Sequence, residues 1–147
     1  MLRGRLLHPD ILRHLAAAGH GSTVLISDGN FAHATGPRPD APRVYLNLAP
    51  DVVRVSDVLT FVLEAIPCES ATLMIPDRAA GEPAPETPLA HADLLDLLPT
   101  DAVIRRLSRS DFYAATREND LALVIATGDR RHYANVLLTI GALADPG

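Results

Sequence analysis

Short apolar runs, each closed off by turn-forming residues, alternate with segments of helical period along most of the chain. Pro9 to Ala18 carries Ile11, Leu12, Leu15 and Ala18 on one face, has a proline in its first turn and is followed by Gly19, which predicts a helix. Thr23 to Ser27, built around Val24-Leu25-Ile26, reads as a buried strand. Gly29 to Pro42 contains Gly36, Pro37, Pro39 and Pro42 and predicts a loop, after which Arg43 to Leu48 is a short strand. Ser56 is placed to cap a helix running to Ala65, with Val58, Leu59, Val62 and Leu63 as its apolar face and Pro67 beyond its end. Ala71 to Ile75 and Ala102 to Leu107 read as strands, Leu89 to Leu98 as a helix, and Ser110 to Arg117 as a short helix capped by Ser110. Leu121 to Ala126 is the most continuous buried strand; Gly128 to His132 turns the chain into a last strand, Val136 to Thr139. This alternation predicts a three-layer α/β/α fold with a parallel or mixed central sheet, in which Val24-Leu25-Ile26, Leu123-Val124-Ile125 and Val136-Leu137-Leu138 share one sheet.

Pro76 to Pro88 is rich in Pro, Ala, Gly and Glu, has no apolar period and reads as an exposed loop. It does not divide the chain, because neither flank is long enough for a comfortable core, so residues 1–147 are expected to form one domain. Apolar residues make up 48% of the sequence, enough to fill that core. The formal net charge of -5 argues against a nucleic-acid surface, since phosphate binding needs clustered cations and only Arg105-Arg106 and Arg130-Arg131 stand together. Lysine is absent. The single cysteine, Cys68, allows neither an intrachain disulfide nor a cysteine-based metal site, which suits a reducing cytoplasm. His8-Pro9-Asp10 and Arg13-His14 interrupt the apolar stretch that a signal peptide would need, and no run approaches the ~18 apolar residues of a membrane span. The expectation is a soluble, non-secreted protein.

Two polar clusters flank the predicted strands. His20 lies between Gly19 and Gly21 ahead of the first strand, and Asp28 follows that strand directly; Tyr133 and Asn135 precede the last one. Ligand crevices of open α/β sheets lie outside the carboxyl ends of strands, and a histidine with a carboxylate makes an acid–base pair. Each residue also has a plainer reading. His20 suits the negative end of a helix, and Asp28 suits a turn with Gly29-Asn30. Tyr133 and Asn135 can satisfy backbone groups at a strand entrance. Arg109 can be a solvated charge or part of a helix start, and Tyr113, beside Phe112, can be core. His33 lies in a proline- and glycine-rich loop, and His8, His14 and His91 have no partners at metal-ligand spacing, so no metal is expected. Gly19-His20-Gly21 is not a dinucleotide fingerprint, because a helix precedes it and a strand follows. There is no nucleophile elbow and no phosphate-loop lysine.

Taken together, Gly19-His20-Gly21 to Ser27-Asp28, Thr127-Gly128 and Tyr133-Ala134-Asn135-Val136-Leu137-Leu138 resemble the fucose mutarotase and ribose pyranase family. The resemblance covers most of the chain and is strongest at its two ends; Pro76 to Pro88 has no clear counterpart. It implies that His20 is the proton donor and that Asp28, Tyr133 and Asn135 lie in a sugar site. Arg109 resembles the arginine of the fucose branch, where ribose pyranases carry histidine. Phe112-Tyr113 and the loop His33 also resemble that branch, while Asn30 stands where it has a histidine. The resemblance further implies rings stacked into decamers with sites near subunit boundaries, and no cofactor. On this reading the protein interconverts anomers, and ring forms, of a monosaccharide such as L-fucose; the alternatives are a ribose pyranase activity and a non-catalytic sugar-binding or transport-accessory role. His20 and Asp28 are expected to be catalytic, and Asp28, Arg109, Tyr113, Tyr133 and Asn135 to bind the sugar, with His20, Asp28, Arg109, Tyr133 and Asn135 converging on one pocket, within one chain or across a subunit boundary.

Overall fold

The computed structural model describes every residue except 84 and 85. Six strands form one sheet in the order β2-β5-β1-β6-β3-β4: β1 is Thr23–Ser27, β2 Arg43–Tyr45, β3 Cys68–Ile75, β4 Val103–Ser108, β5 Leu121–Ala126 and β6 Val136–Ile140. β1, β5 and β2 run parallel to one another, as do β3 and β4, whereas β6 is antiparallel to both of its neighbours, β1 and β3. Five strands therefore point one way and β6 points back between them.

Side chains alternate across this sheet, as a strand's period of two requires. Val24, Ile26, Leu123, Ile125, Val136, Leu138 and Leu73 face one layer, where they pack on Ile11 and Leu15 of α1 (Pro9–Ala17), Val58, Leu59 and Val62 of α2 (Val55–Ala65) and Leu94 of α3 (Ala90–Leu97). Leu25, Val124, Leu137 and Met74 face the other, where Phe112 of α4 (Arg109–Ala115) and Phe31 and Ala41 of the long loop cover them. The expected three layers are present. One outer layer consists of three helices, and the other consists of α4 and the 29–42 loop.

Several boundaries differ from the sequence reading, each for a local reason. β2 stops at Tyr45 rather than Leu48, because the chain folds over on itself there: the Leu48 N–H bonds to the Leu46 carbonyl at 3.0 Å and to the Val52 carbonyl at 3.1 Å. β3 begins at Cys68, three residues early. Cys68 pairs with Ile140 and Ser70 with Thr139, with an irregularity at Glu69 between them, so this end of the strand carries no apolar pattern. Ser56 is not the cap of α2. Arg54 holds that position, and its backbone N–H donates to the Asp57 carboxylate at 2.9 Å. Ser108, not Ser110, caps α4, accepting from the Asp111 N–H at 3.2 Å. The 76–88 segment has no helix or strand among its described residues, and residues 84 and 85 lie outside them. It is nonetheless tied down, because Asp77 accepts from the Ser110 N–H at 3.1 Å and the Ser110 hydroxyl at 3.0 Å. No helix among the described residues is long and apolar enough to cross a membrane.

Candidate functional site

The reversed direction of β6 decides where the site forms. The carboxyl ends of β1, β3 and β4 lie at one edge of the sheet, and because β6 runs the other way its amino-terminal flank arrives at that same edge. Asp28 follows β1, Met74 lies near the end of β3, Arg109 follows β4, and Tyr133 and Asn135 precede β6. These residues, with Tyr113 of α4, line one cavity of about 190 Å³.

Asp28 and Asn135 form its floor, and both are buried. The Asp28 backbone N–H donates to Asn135 Oδ1 at 2.8 Å, and Asn135 Nδ2 donates to Asp28 Oδ2 at 3.0 Å. The other carboxylate oxygen accepts the Asn30 N–H at 2.9 Å, which is the turn geometry expected of an aspartate before Gly29-Asn30. The turn-forming and site-forming readings of Asp28 thus hold together. Burial raises the Asp28 carboxyl above its ordinary 3.8, against the hydrogen bonds from Asn30 and Asn135, which pull it down.

The wall is aromatic and cationic. Tyr113 stacks on Phe31 with ring centroids 4.5 Å apart and planes within 9°, and its hydroxyl oxygen accepts the Ala32 N–H at 3.1 Å. The Arg109 guanidinium lies 5.2 Å from the centre of the Tyr113 ring. Gly36 is required behind it, since a Cβ there would come within 2.5 Å of Tyr113 Cε1. Tyr133 has φ +61°, a left-handed conformation uncommon outside glycine. Its loop is anchored by Arg131, which donates to the buried Asp129 at 3.0 and 2.8 Å and to Asp93 of α3 at 2.6 Å.

His20 does not join this group within one chain. It precedes β1 and so lies at the opposite edge of the sheet, where its Nε2 meets Glu69 at 2.6 Å, with both side chains largely exposed. The five residues of β1 alone span about 17 Å. The expected convergence of His20 and Asp28 on one pocket is therefore corrected for the single chain: Asp28, Arg109, Tyr113, Tyr133 and Asn135 come together, and His20 opens onto another surface. Four lining residues were missed in the sequence: Asn30, Phe31, Met74 and His132. His132 directly precedes Tyr133, and Asn30 and Phe31 follow Asp28, so proximity to the two polar clusters was the available signal. Met74 sits inside an apolar run and gives none. His33 lies outside the cavity, with its Nδ1 2.8 Å from the Ser27 hydroxyl and its pKa lowered by burial.

The model of the RbsD / FucU transport protein family matches residues 1–143. The chain belongs to that family. Among the relatives of this RbsD/FucU chain are a D-ribose pyranase of Variovorax paradoxus (strain S110), 34% identical over 142 residues, covering 96% of this chain and 98% of the relative, and a D-ribose pyranase of Paracidovorax citrulli (strain AAC00-1), 33% identical over 141 residues, with the same shares. The fold resembles that of Bacillus subtilis RbsD complexed with D-ribose, with a TM-score of 0.78 and 25% identity, covering 98% of this chain and all of the other. It also resembles the fucose mutarotase of Streptococcus pneumoniae in complex with L-fucose, with a TM-score of 0.73 and 22% identity, covering 93% of this chain and 94% of the other. The RbsD/FucU family thus includes enzymes that interconvert sugar forms.

Proposed function

We propose that this protein is a sugar mutarotase that interconverts the anomers, and the ring forms, of a monosaccharide. What carries the reading is the Asp28–Asn135 pair at the floor of a small polar cavity that also takes in Arg109, Tyr113 and Tyr133. Opening a hemiacetal requires a proton delivered to the ring oxygen and one withdrawn from the anomeric hydroxyl; closing it on the other face reverses both transfers. Groups that exchange protons near neutrality suffice. Asp28, whose carboxyl is raised by burial, is suited to trade a proton with a sugar hydroxyl or ring oxygen. Asn135 and the Asn30 N–H keep its two oxygens in place. Arg109 and the Tyr113 and Tyr133 hydroxyls supply hydrogen bonds that orient the ring.

His20 remains the proposed proton donor, and the geometry restricts how it acts. It reaches a pocket containing Asp28 only from a second copy of the chain, so the working site lies between subunits of a ring-shaped homo-oligomer, proposed as a decamer. The cytoplasm is the proposed setting.

L-fucose is the first proposed substrate, because Arg109, stacked on Tyr113, stands where the ribose branch has histidine. D-ribose is the second, because relatives sharing about a third of the residues along nearly the whole chain are named D-ribose pyranases. The test is selective inversion of one anomeric proton and measurement of its transfer to the other anomer, for fucose, ribose, galactose and rhamnose. Faster transfer than in buffer for at least one sugar is expected. Binding with no acceleration would leave a sugar-binding protein, and neither binding nor acceleration would remove the sugar reading.

A further inference from the structure

His91 has no role in the site described so far. It is the second residue of α3 and fully buried, on a helix whose other buried residues are the aliphatic Ala90 and Leu94. Its Nε2 lies 3.2 Å from the backbone carbonyl oxygen of Tyr133. Among the described residues its Nδ1 is buried with no partner within hydrogen-bonding distance, and the Met74 backbone lies beside the ring. A leucine or methionine would fill this space without leaving a ring nitrogen unsatisfied. What an apolar residue cannot do is donate to the Tyr133 carbonyl.

That carbonyl belongs to the one left-handed residue of the pocket. Tyr133, at φ +61°, has the conformation that turns the chain from the 128–132 loop into β6 two residues before Asn135. Such a conformation in a non-glycine residue persists only where its surroundings over-determine it. α3 grips this loop at two points: Asp93 holds Arg131 at 2.6 Å, and His91 holds the Tyr133 carbonyl. Between them they fix the segment that delivers both Tyr133 and Asn135 to the cavity.

We propose that His91 is a positioning residue of the sugar site, acting from the layer behind it by donating Nε2–H to the Tyr133 carbonyl and so holding Tyr133 and Asn135 in binding geometry. The proposal rests on the reading of the cavity as a sugar site. His91→Leu removes the donor and keeps the bulk, whereas His91→Gln returns an amide N–H. In anomer-exchange measurements H91L is expected to raise the apparent KM for the sugar on the order of tenfold with kcat little changed, and H91Q to recover most of the loss. Equal KM values for wild type and a folded H91L protein would overturn the proposal. Nitrogen-15 NMR of histidine-labelled wild-type protein tests it without a variant: His91 should be the Nε2–H tautomer, with its shift moving on addition of an exchanging sugar. The Nδ1–H tautomer, or a resonance indifferent to that sugar, would also overturn it. A wild-type protein that accelerates no sugar defeats the sugar-site reading itself, and the tautomer measurement still reports whether the link to Tyr133 exists.

Discussion

Asp28 and Asn135, 107 positions apart in the sequence, hold each other by two opposed hydrogen bonds: the Asp28 backbone donates to the Asn135 side chain, and the Asn135 side chain donates to the Asp28 carboxylate. The pair staples the end of β1 to the start of β6 and presents a carboxylate to the cavity in a fixed orientation. Asn135→Ala would leave a buried N–H without its acceptor, a loss of about 1–3 kcal/mol. The expected outcome is a lower midpoint in urea unfolding together with loss of sugar binding; an unchanged midpoint would remove the structural half of this account.

The carboxyl of Asp28 also sets a pH dependence of stability. Its folded-state pKa lies above the ordinary 3.8 because burial disfavours the charge. The folded protein therefore holds this proton more tightly than the unfolded chain. The group's stabilising contribution is complete below 3.8 and is lost as pH rises through the folded-state value. Wild type should lose stability relative to Asp28→Asn as pH rises from below 3.8 through the folded-state value, read as the change in the difference of their unfolding free energies. A difference that grows in favour of wild type over that range would contradict the assigned direction.

Gly36 tests the aromatic wall. A Cβ at this position would lie 2.5 Å from Tyr113 Cε1 and 2.9 Å from the Ala32 carbonyl oxygen. Gly36→Ala must displace the Tyr113 ring from its stack on Phe31 or shift the loop, costing about 1–3 kcal/mol. Thermal melts should show the loss, and sugar affinity should fall with it. Full affinity in a folded Gly36→Ala protein would show that Tyr113 does not need this position to bind.

Arg109→His exchanges a long planar cation over the Tyr113 ring for a shorter imidazole. If Arg109 orients L-fucose without moving protons, the apparent KM for fucose should rise on the order of tenfold while kcat changes less. Anomer-exchange kinetics on fucose and ribose side by side measure this. A fall in kcat alone would place Arg109 in the proton transfer instead.

A site shared between copies makes a prediction that no single-chain site can meet. His20→Ala and Asp28→Asn proteins, each inactive alone, should recover activity when assembled together. With random mixing and one partner per site, about one quarter of the sites would combine an intact His20 with an intact Asp28. Exchange rates of the co-assembled protein against those of the two parents decide the point, and no recovery in a mixed oligomer would rule out His20 acting across the boundary.

The apolar pattern by itself determined β1 and β5, whose ends at Thr23–Ser27 and Leu121–Ala126 match the sequence reading. These are central strands buried on both faces, so every residue must be apolar or small and the run ends where burial ends. The layered architecture followed from the same alternation, and the two polar clusters pointed to three of the residues that line the cavity, Asp28, Tyr133 and Asn135, while the family resemblance added Arg109 and Tyr113. Edge-proximal and polar ladder segments were not legible: Ser70 pairs in the sheet beyond an irregularity at Glu69, neither with an apolar signature, and the end of β2 depends on a turn at Leu48. Above all, the sequence does not encode strand direction in any local pattern. A run such as Val136-Leu137-Leu138 looks the same whether it points up or down, and its direction is chosen by which neighbours it pairs with. Because β6 runs antiparallel to β1, Tyr133 and Asn135 come to the same edge as Asp28, while His20, eight residues before Asp28, is left at the opposite one. Nearness in sequence suggested a pair that the length of one strand keeps apart, and the tertiary fold made a pair of two residues that the sequence holds 107 positions apart.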